Sequence, residues 1–274
     1  MTTEKPDKAS DQENEIARIA AIIGKPGSRV LSKTGRALHT GIKPRNAATL
    51  IILKREGAQT LVLMGKRHSS VKFMPGAMVF PGGSVDSGDG KVHAGEELSQ
   101  TTLDRIMSNM RGTPSKHAAR ALAIAAIRET AEECGLLIGQ IQDFDSVNKD
   151  FDSVNKDWAC FAEAGITPSL AGMRLFARAI TPPGAARRFD TWFFVTTADR
   201  IAYTPQSGFS PSGELEDLRW INPKDAMLAN TREITRIMLA ELMDRLQRDP
   251  ELDPGYPAPF YRAAHNQFIK SIMA

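Results

Sequence analysis

Three glutamates at helical spacing are the residues of this sequence best suited to chemistry. Glu129, Glu132 and Glu133 are related as i, i+3 and i+4, so on a helix their carboxylates project from one face, close to one another. Because such like charges repel, a hard divalent cation with oxygen ligands would stabilise them, and Mg²⁺ keeps water and phosphate oxygens in its shell. An exposed acidic helix face is the ordinary alternative for such a triplet. The triplet therefore indicates a metal site only if further ligands converge on it.

A glycine turn upstream of the triplet can supply those ligands. Gly82 and Gly83 close a strand candidate, and Asp86 and Asp89 follow at short spacing. Backbone carbonyls and further carboxylates can therefore approach the glutamates from the loop side. The 38 residues between Asp89 and Arg128 need not prevent this, because a longer connection adds only a modest loop entropy.

Hydrophobic periodicity predicts the elements that position these residues. A helix is expected from about Pro114 to Cys134, with Thr113 as N-cap and Gly135 just past its end. Strands are expected at 47–53, 61–64, 78–80, 173–180, 191–197 and 215–221, the first two as a hairpin. The fold class is therefore α+β, with a mixed central sheet.

Four segments lie outside this core pattern. Residues 1–28 are expected to form a partly disordered tail with a short helix near residues 16–23, and residues 29–230 the compact domain. Within an insertion at about 90–116, apolar residues recur at helical spacing from Leu103 to Met110 and predict one packed helix. Residues 231–274 are expected to be a C-terminal helical extension, with a helix over 231–247 and a final short helix after a proline-rich link. A perfect seven-residue tandem repeat, residues 144–157, is interpreted as a duplicated surface loop.

Composition excludes several classes of partner. The chain has 274 residues, of which 42% are hydrophobic and 24% charged, and its net charge of +3 is spread without a basic block. We therefore expect neither nucleic-acid nor membrane-surface binding. The two cysteines are too few for a disulfide framework, and the sequence contains no signal-peptide core and no apolar stretch of membrane-spanning length. A cytoplasmic protein is expected.

The two acidic segments together resemble the signature of the Nudix hydrolases, G-x5-E-x7-R-E-U-x-E-E-x-G-U, where U is a bulky apolar residue. The run from Gly83 to Asp89 is similar to its first part, and the run from Arg128 to Leu136 to its second. Asp89 stands where the signature has its first glutamate, Thr130 where it has an apolar residue, and 38 residues where it has seven. The resemblance covers about residues 46–225. It implies a Nudix fold, an α/β/α sandwich around a mixed central sheet, with an inserted helix inside the signature.

The resemblance also implies roles for these residues. Glu129, Glu132 and Glu133, with the Gly82 carbonyl, would bind Mg²⁺ or Mn²⁺ and carry the catalysis. Arg128 would fix the Glu129 carboxylate from behind, with Asp89 beside it. The general base is left open between Glu133 and Glu214.

Further motifs are similar to those of coenzyme A diphosphatases. A run of the form R-x3-G-x3-F-P-G-G in that branch matches residues 72–83 without a gap, with Lys72 in place of the arginine. A second run, residues 187–191, matches an Arg-Arg-Phe-Asp-Thr motif that opens a later strand. Arg67, Lys72, Arg187 and Arg188 are therefore the candidate phosphate-binding residues.

Three functions remain open from the sequence. The first is hydrolysis of coenzyme A or its thioesters, and the second is the same chemistry on ADP-ribose, NADH or another nucleotide conjugate. The third is a Nudix-fold binding or regulatory module that has lost catalysis. In each case the expected partner is a small-molecule diphosphate, and a homodimer is left as an open alternative.

Overall fold

The computed structural model describes residues 19, 29–31, 41–71, 75–141, 156–183, 185–206, 208–209, 213–264 and 267–273. Its strands are β1 Arg29–Leu31, β2 Arg45–Glu56, β3 Gln59–Arg67, β4 Met78–Val79, β5 Gly82–Ser84, β6 Leu137–Ile141, β7 Ile166–Pro168, β8 Arg174–Ile180, β9 Phe189–Thr197, β10 Ile201–Tyr203, β11 Leu215–Ile221, β12 Ala258–Ala264 and β13 Gln267–Met273. Its α-helices are α1 Gln100–Asn109, α2 Lys116–Cys134, α3 Ala159–Glu163, α4 Pro223–Leu228 and α5 Glu233–Arg248. A short 3₁₀ helix spans Asp89–Lys91. The predicted strand segments and the three longer predicted helices are all present, with ends that differ by a few residues.

A large mixed sheet forms the centre of the molecule. Its strands run in the order β1-β13-β12-β8-β9-β2-β3-β11, with β4 paired to β3 and β5 paired to β2. The β2–β9 and β12–β8 pairs are parallel, and the other pairs are antiparallel. A separate three-stranded sheet has the order β10-β6-β7. The predicted α+β class with a mixed sheet is confirmed.

Strand β2 shows why the sheet is covered on both faces. Leu50 and Ile52 belong to one buried apolar cluster, whereas Ile51 and Leu53 belong to another. Because successive side chains of a strand point to opposite faces, one cluster lies on each side of the sheet. Helix α2 supplies the first cluster and helix α5 the second, which gives the α/β/α layering.

The glutamate-bearing helix α2 begins two residues later than the sequence predicted. Ser115, rather than Thr113, is its N-cap, and the Ser115 hydroxyl accepts a hydrogen bond of 3.1 Å from the Ala118 N–H. The helix ends at Cys134, as predicted, because Gly135 adopts the left-handed conformation with φ of 72°, which glycine enters without steric cost.

The predicted final helix of the C-terminal extension is wrong. Residues beyond the proline-rich link form β12 and β13, an antiparallel pair in which β12 also runs parallel to β8. The physical reason is a period of two: Ala258 and Phe260 pack in the first apolar cluster and Tyr261 lies in the second. The segment is therefore part of the central sheet, and of the predicted helical extension only α5 is helical.

The predicted insertion helix is α1, and it packs against the domain. Ile106 is fully buried, and Leu103, Met107 and Met110 pack against the first apolar cluster. Buried Arg105 donates hydrogen bonds of 2.7–3.0 Å to the carbonyls of Pro254, Gly255 and Tyr256. The insertion is thereby tied to the segment that leads into β12.

Two further predictions concern the ends and loops of the chain. The tandem repeat falls mainly on residues 142–155, outside the described residues, as does most of the predicted N-terminal tail with its helix.

Within the described part of the chain, none of the helices has both the length and the apolar character needed to cross a bilayer.

Candidate functional site

A cleft of about 400 Å³ brings together most of the predicted site residues. Its volume lies within the usual range of small-molecule sites. It is lined by Ala47, Thr49, Arg67, Val79, Phe80, Gly82, Gly83, Ser84, Glu129, Glu133, Arg187, Phe189, Thr191, Phe193, Glu214, Ile234 and Thr235. Residues far apart in the sequence thus share one cavity because α2 packs against β2 and β5.

Glu133 is held at the cleft by the glycine turn. Its side chain is nearly fully buried, and its Oε2 atom accepts a hydrogen bond of 2.9 Å from the Gly82 N–H. A Cβ atom on Gly82 would lie 2.5 Å from the Ala48 carbonyl oxygen. Only glycine therefore allows this backbone to approach β2 and present its N–H to Glu133.

Gly83 is required for the position of Glu129. A Cβ atom on Gly83 would lie 2.4 Å from the Glu129 carboxylate carbon, so the missing side chain is what lets the carboxylate lie against β5. The Glu129 side chain is 15% exposed and lines the same cleft as Glu133.

Arg128 connects the upstream loop to the helix. Its Nε atom lies 2.9 Å from Asp89 Oδ1, its Nη1 atom 3.0 Å from Glu129 Oε1, and its Nη2 atom donates to the Ser84 carbonyl at 2.8 Å. Both Arg128 and Asp89 are buried, and Asp89 also accepts a hydrogen bond from the Asp86 N–H. Folding therefore brings the two halves of the split motif into direct contact.

Glu132 is turned away from the cleft. Its Oε1 atom lies 3.1 Å from Arg128 Nη1, its side chain is 36% exposed, and it is not among the described cleft-lining residues. The structure thus brings Glu129 and Glu133 together and places Glu132 beside Arg128. A metal-binding role for Glu132 stays a prediction.

Burial changes the acidity of the cleft carboxyls. Burial raises the pKa of Glu133 to about 8 against the lowering effects of the Gly82 N–H and Arg67, and raises that of Glu129 to about 7 against the lowering effect of Arg128. Burial also raises the pKa of Glu132. For Arg128, burial acts to lower the pKa, but its bonds to Asp89 and Glu129 raise it overall. Glu129 and Glu133 therefore lack enough positive charge around them to be fully stable as anions at neutral pH.

The chemistry of these donors fits Mg²⁺ or Mn²⁺. Both cations prefer carboxylate and carbonyl oxygens, and the raised pKa values of Glu129 and Glu133 indicate that added positive charge would stabilise them. Among the described residues, however, no three acidic, histidine or cysteine side chains are already arranged to hold an ion. Glu129 lies against Arg128, and Glu133 accepts a hydrogen bond from the Gly82 N–H.

The predicted phosphate-binding residues divide into three groups. Arg67 and Arg187 line the cleft, and the positive charge of Arg67 acts on Glu133. Arg188 instead donates to the backbone carbonyls of Ile42 and Thr181, at 2.7 and 3.2 Å. It is not among the described residues that line the cleft. Lys72 lies outside the described residues.

Glu214 lines the cleft just before β11, and its negative charge raises the pKa of Glu133. The Glu214 carbonyl accepts a hydrogen bond of 2.9 Å from the His68 N–H. Both candidates for the general base are therefore in the same cavity.

Sequence reasoning missed the apolar lining of the cleft. Phe189 and Phe193 reach it from β9, and Ile234 and Thr235 reach it from the first turn of α5. The period of two in β9 could have placed Phe189, Thr191 and Phe193 on one face. The contribution of α5 had no sequence signal, because it depends on where that helix packs.

A curated protein is similar to this chain in sequence. The chain is 30% identical over 188 residues to "Putative nudix hydrolase 7" of Caenorhabditis elegans, an alignment that covers 67% of this chain and 53% of that protein. The chain thus spans about half the length of the curated relative that it matches. No protein-family model matches the chain.

Two solved structures also align with this chain. A NUDIX hydrolase from Alicyclobacillus acidocaldarius is 24% identical with a TM-score of 0.49, covering 76% of this chain and 85% of that one. The NUDIX domain of Shewanella oneidensis NrtR, solved with ADP ribose, is 11% identical with a TM-score of 0.42, covering 75% and 91%. The sequence similarity to a Nudix hydrolase over two thirds of this chain rests on the C. elegans protein alone.

Proposed function

We propose that this protein is a metal-dependent hydrolase of the Nudix type, which cleaves the phosphoanhydride bond of a nucleoside-diphosphate-linked compound. The observation that carries the proposal is the placement of buried Glu133 and largely buried Glu129 in one cleft with Arg67 and Arg187. A buried acidic pair is costly unless positive charge joins it. A divalent cation would add that charge, and the cation together with Arg67 and Arg187 would offset the negative charge of a bound diphosphate.

The proposed metal ligands are Glu129, Glu133 and the Gly82 carbonyl, with Glu132 retained as a further predicted ligand. A bound Mg²⁺ or Mn²⁺ supplies charge neutralisation at phosphoryl oxygens and a more acidic water molecule. Arg128 holds Glu129 in place and is itself fixed by Asp89 and the Ser84 carbonyl. It therefore acts as a positioning residue.

Two arginines are proposed to bind the substrate phosphates. Arg67 and Arg187 both line the cleft, and guanidinium groups bind phosphate oxygens in a bidentate manner. Arg188 is not included, because its guanidinium already donates to two backbone carbonyls. Glu133 or Glu214 is the general base, since both lie in the cleft.

We propose coenzyme A or an acyl-coenzyme A as the substrate, on the basis of the motifs at residues 72–83 and 187–191. ADP-ribose, NADH or another nucleotide conjugate is the alternative within the same chemistry. A catalytically impaired binding or regulatory module is the alternative of a different class. The intact Glu129 and Glu133 in the cleft favour an enzyme over such a module.

A substrate panel tests the proposal. We expect Mg²⁺-dependent release of product from at least one of coenzyme A, acyl-coenzyme A, ADP-ribose and NADH, with the highest kcat/KM for a coenzyme A compound. A preference for ADP-ribose or NADH would reject the coenzyme A assignment and keep the hydrolase. Ligand binding without turnover across the whole panel would instead support the regulatory module.

The raised carboxyl pKa values predict how metal binding depends on pH. Without a cation, the folded protein keeps protons on Glu133 and Glu129 up to about pH 8 and 7, whereas the unfolded chain loses them near pH 4.5. Because the folded state binds more protons, the stability of the metal-free protein should fall as pH rises from about 4.5 to about 8. Cations bind the deprotonated carboxylates, so added Mg²⁺ should raise Tm more at pH 8 than at pH 6.

Thermal unfolding with excess Mg²⁺ and with a chelator, at both pH values, measures this effect. The variant Glu133→Gln is the internal control, because it removes the carboxyl with the largest upward shift and should shrink the difference between the two pH values. Equal Mg²⁺ effects on the wild-type Tm at pH 6 and pH 8 would contradict the prediction.

A further inference from the structure

We propose that Ile234 and Thr235, in the first turn of α5, form one wall of the substrate site. This wall makes the site prefer diphosphates that carry an apolar group. The inference rests on the proposed function and deepens it. It concerns a helix outside residues 46–225, the range over which the sequence motifs apply.

The floor of the cleft is built by two neighbouring parallel strands, β9 and β2. In β9, Phe189, Thr191 and Phe193 alternate onto the cleft face, and all three line the cavity. In β2, Ala47 is in register with Thr191 and Thr49 with Phe193, and both also line the cavity. Since side chains two apart in a strand share a face, these five residues form one continuous surface.

The wall is held in a fixed position by the residues just before α5. Met78 of β4 donates a backbone hydrogen bond of 2.8 Å to the Asn230 carbonyl and forms a bridge with Thr231. The Arg236 side chain donates to the Met227 carbonyl at 3.1 Å. Because β4 leads into Phe80, another cleft residue, the start of α5 is tied to the strand beside the glycine turn.

The cleft surface combines charged and apolar residues. Its charged side chains are Arg67, Glu129, Glu133, Arg187 and Glu214, which a metal and a diphosphate would engage. The apolar part comprises Val79, Phe80, Phe189, Phe193 and Ile234, of which Val79, Phe189 and Ile234 are partly exposed. Such a surface gains free energy by covering an apolar group and offers few partners to a polyhydroxylated one. The substrate class is therefore a diphosphate with an aromatic ring or an alkyl chain attached.

Four model substrates separate the two sources of apolar surface. The methyl and hexyl esters of ADP differ only in an alkyl chain. The corresponding esters of ribose 5-diphosphate lack the nucleobase. Each is assayed at fixed Mg²⁺ with the wild-type protein and with Ile234→Ala and Ile234→Thr. Leu246→Ala is the matched control, since Leu246 is half-buried on the same helix and packs on the same apolar cluster but does not line the cleft.

The wild-type protein is expected to prefer the hexyl ester, the nucleobase-bearing ester, or both. Both Ile234 variants should reduce that preference by about tenfold, through KM more than through kcat, whereas Leu246→Ala should leave it unchanged. The inference is overturned if the wild type shows neither preference, if the Ile234 variants keep it within twofold, or if Leu246→Ala reduces it equally.

Failure of the proposed function can be distinguished from failure of this inference. If the wild-type protein hydrolyses none of the four esters, the hydrolase assignment fails on these substrates. The same esters are then titrated calorimetrically, and the Ile234 and Leu246 variants decide the inference from Kd ratios alone.

Discussion

Glutamine in place of Glu133 is expected to lower kcat by at least about 10²-fold at saturating Mg²⁺, the lower end of what a positioned acid or base contributes. The substitution keeps an oxygen that can accept the 2.9 Å hydrogen bond from the Gly82 N–H, so the turn should keep its position. What it removes is the negative charge, and with it either a metal ligand or the general base. Steady-state kinetics on the preferred substrate of the panel measures the loss.

Two controls make this result interpretable. Glu163→Gln changes an exposed carboxylate on α3 and should leave kcat unaltered. Glu214→Gln tests the second candidate base: a loss as large as that of Glu133→Gln would assign proton transfer to Glu214 and metal binding to Glu133. Near-full turnover by Glu133→Gln would show that Glu133 is neither a metal ligand nor the base.

Loss of the Arg128 charge is expected to produce the largest change in stability. In Arg128→Gln, Asp89 would remain about 1% exposed without its cationic partner. Removing one member of a buried ion pair costs about 3–5 kcal/mol, so the free energy of unfolding should fall by that amount. Chemical denaturation of the metal-loaded protein measures it.

An exposed pair on the same protein provides the comparison for Arg128. Arg248 lies 2.8 Å from Asp244 on α5, and its side chain is 68% exposed, so Arg248→Gln should cost less than about 0.5 kcal/mol. The double change Arg128→Met with Asp89→Leu should recover part of that stability relative to Arg128→Gln, because it also removes the buried charge of Asp89. Equal losses in Arg128→Gln and Arg248→Gln would show that the Arg128–Asp89 pair does not join the two halves of the site.

Local patterns were sufficient to predict the elements that carry the site. The helix that ends at Gly135 and the hairpin of β2 and β3 are predictable because their periodicity and terminal residues act over a few positions. The proximity of Asp89 and Arg128 was also expected, since the resemblance to the signature placed Asp89 beside Arg128. The C-terminal strands were not predicted, because the alternation around Ala258 and Tyr261 is short and follows a proline-rich link.

The sequence by itself determined the chemical groups of the candidate site: Glu129 and Glu133 on one helix, Gly82 and Gly83 in a turn, and Arg67 and Arg187 nearby. Those assignments depend on residue type and short spacing, which the chain carries locally. Only the tertiary structure decided that Glu132 faces Arg128, that Arg188 binds backbone carbonyls, and that Ile234 joins the cleft. Each of these depends on how helices pack against the sheet, and that packing is set by contacts between residues distant in the chain.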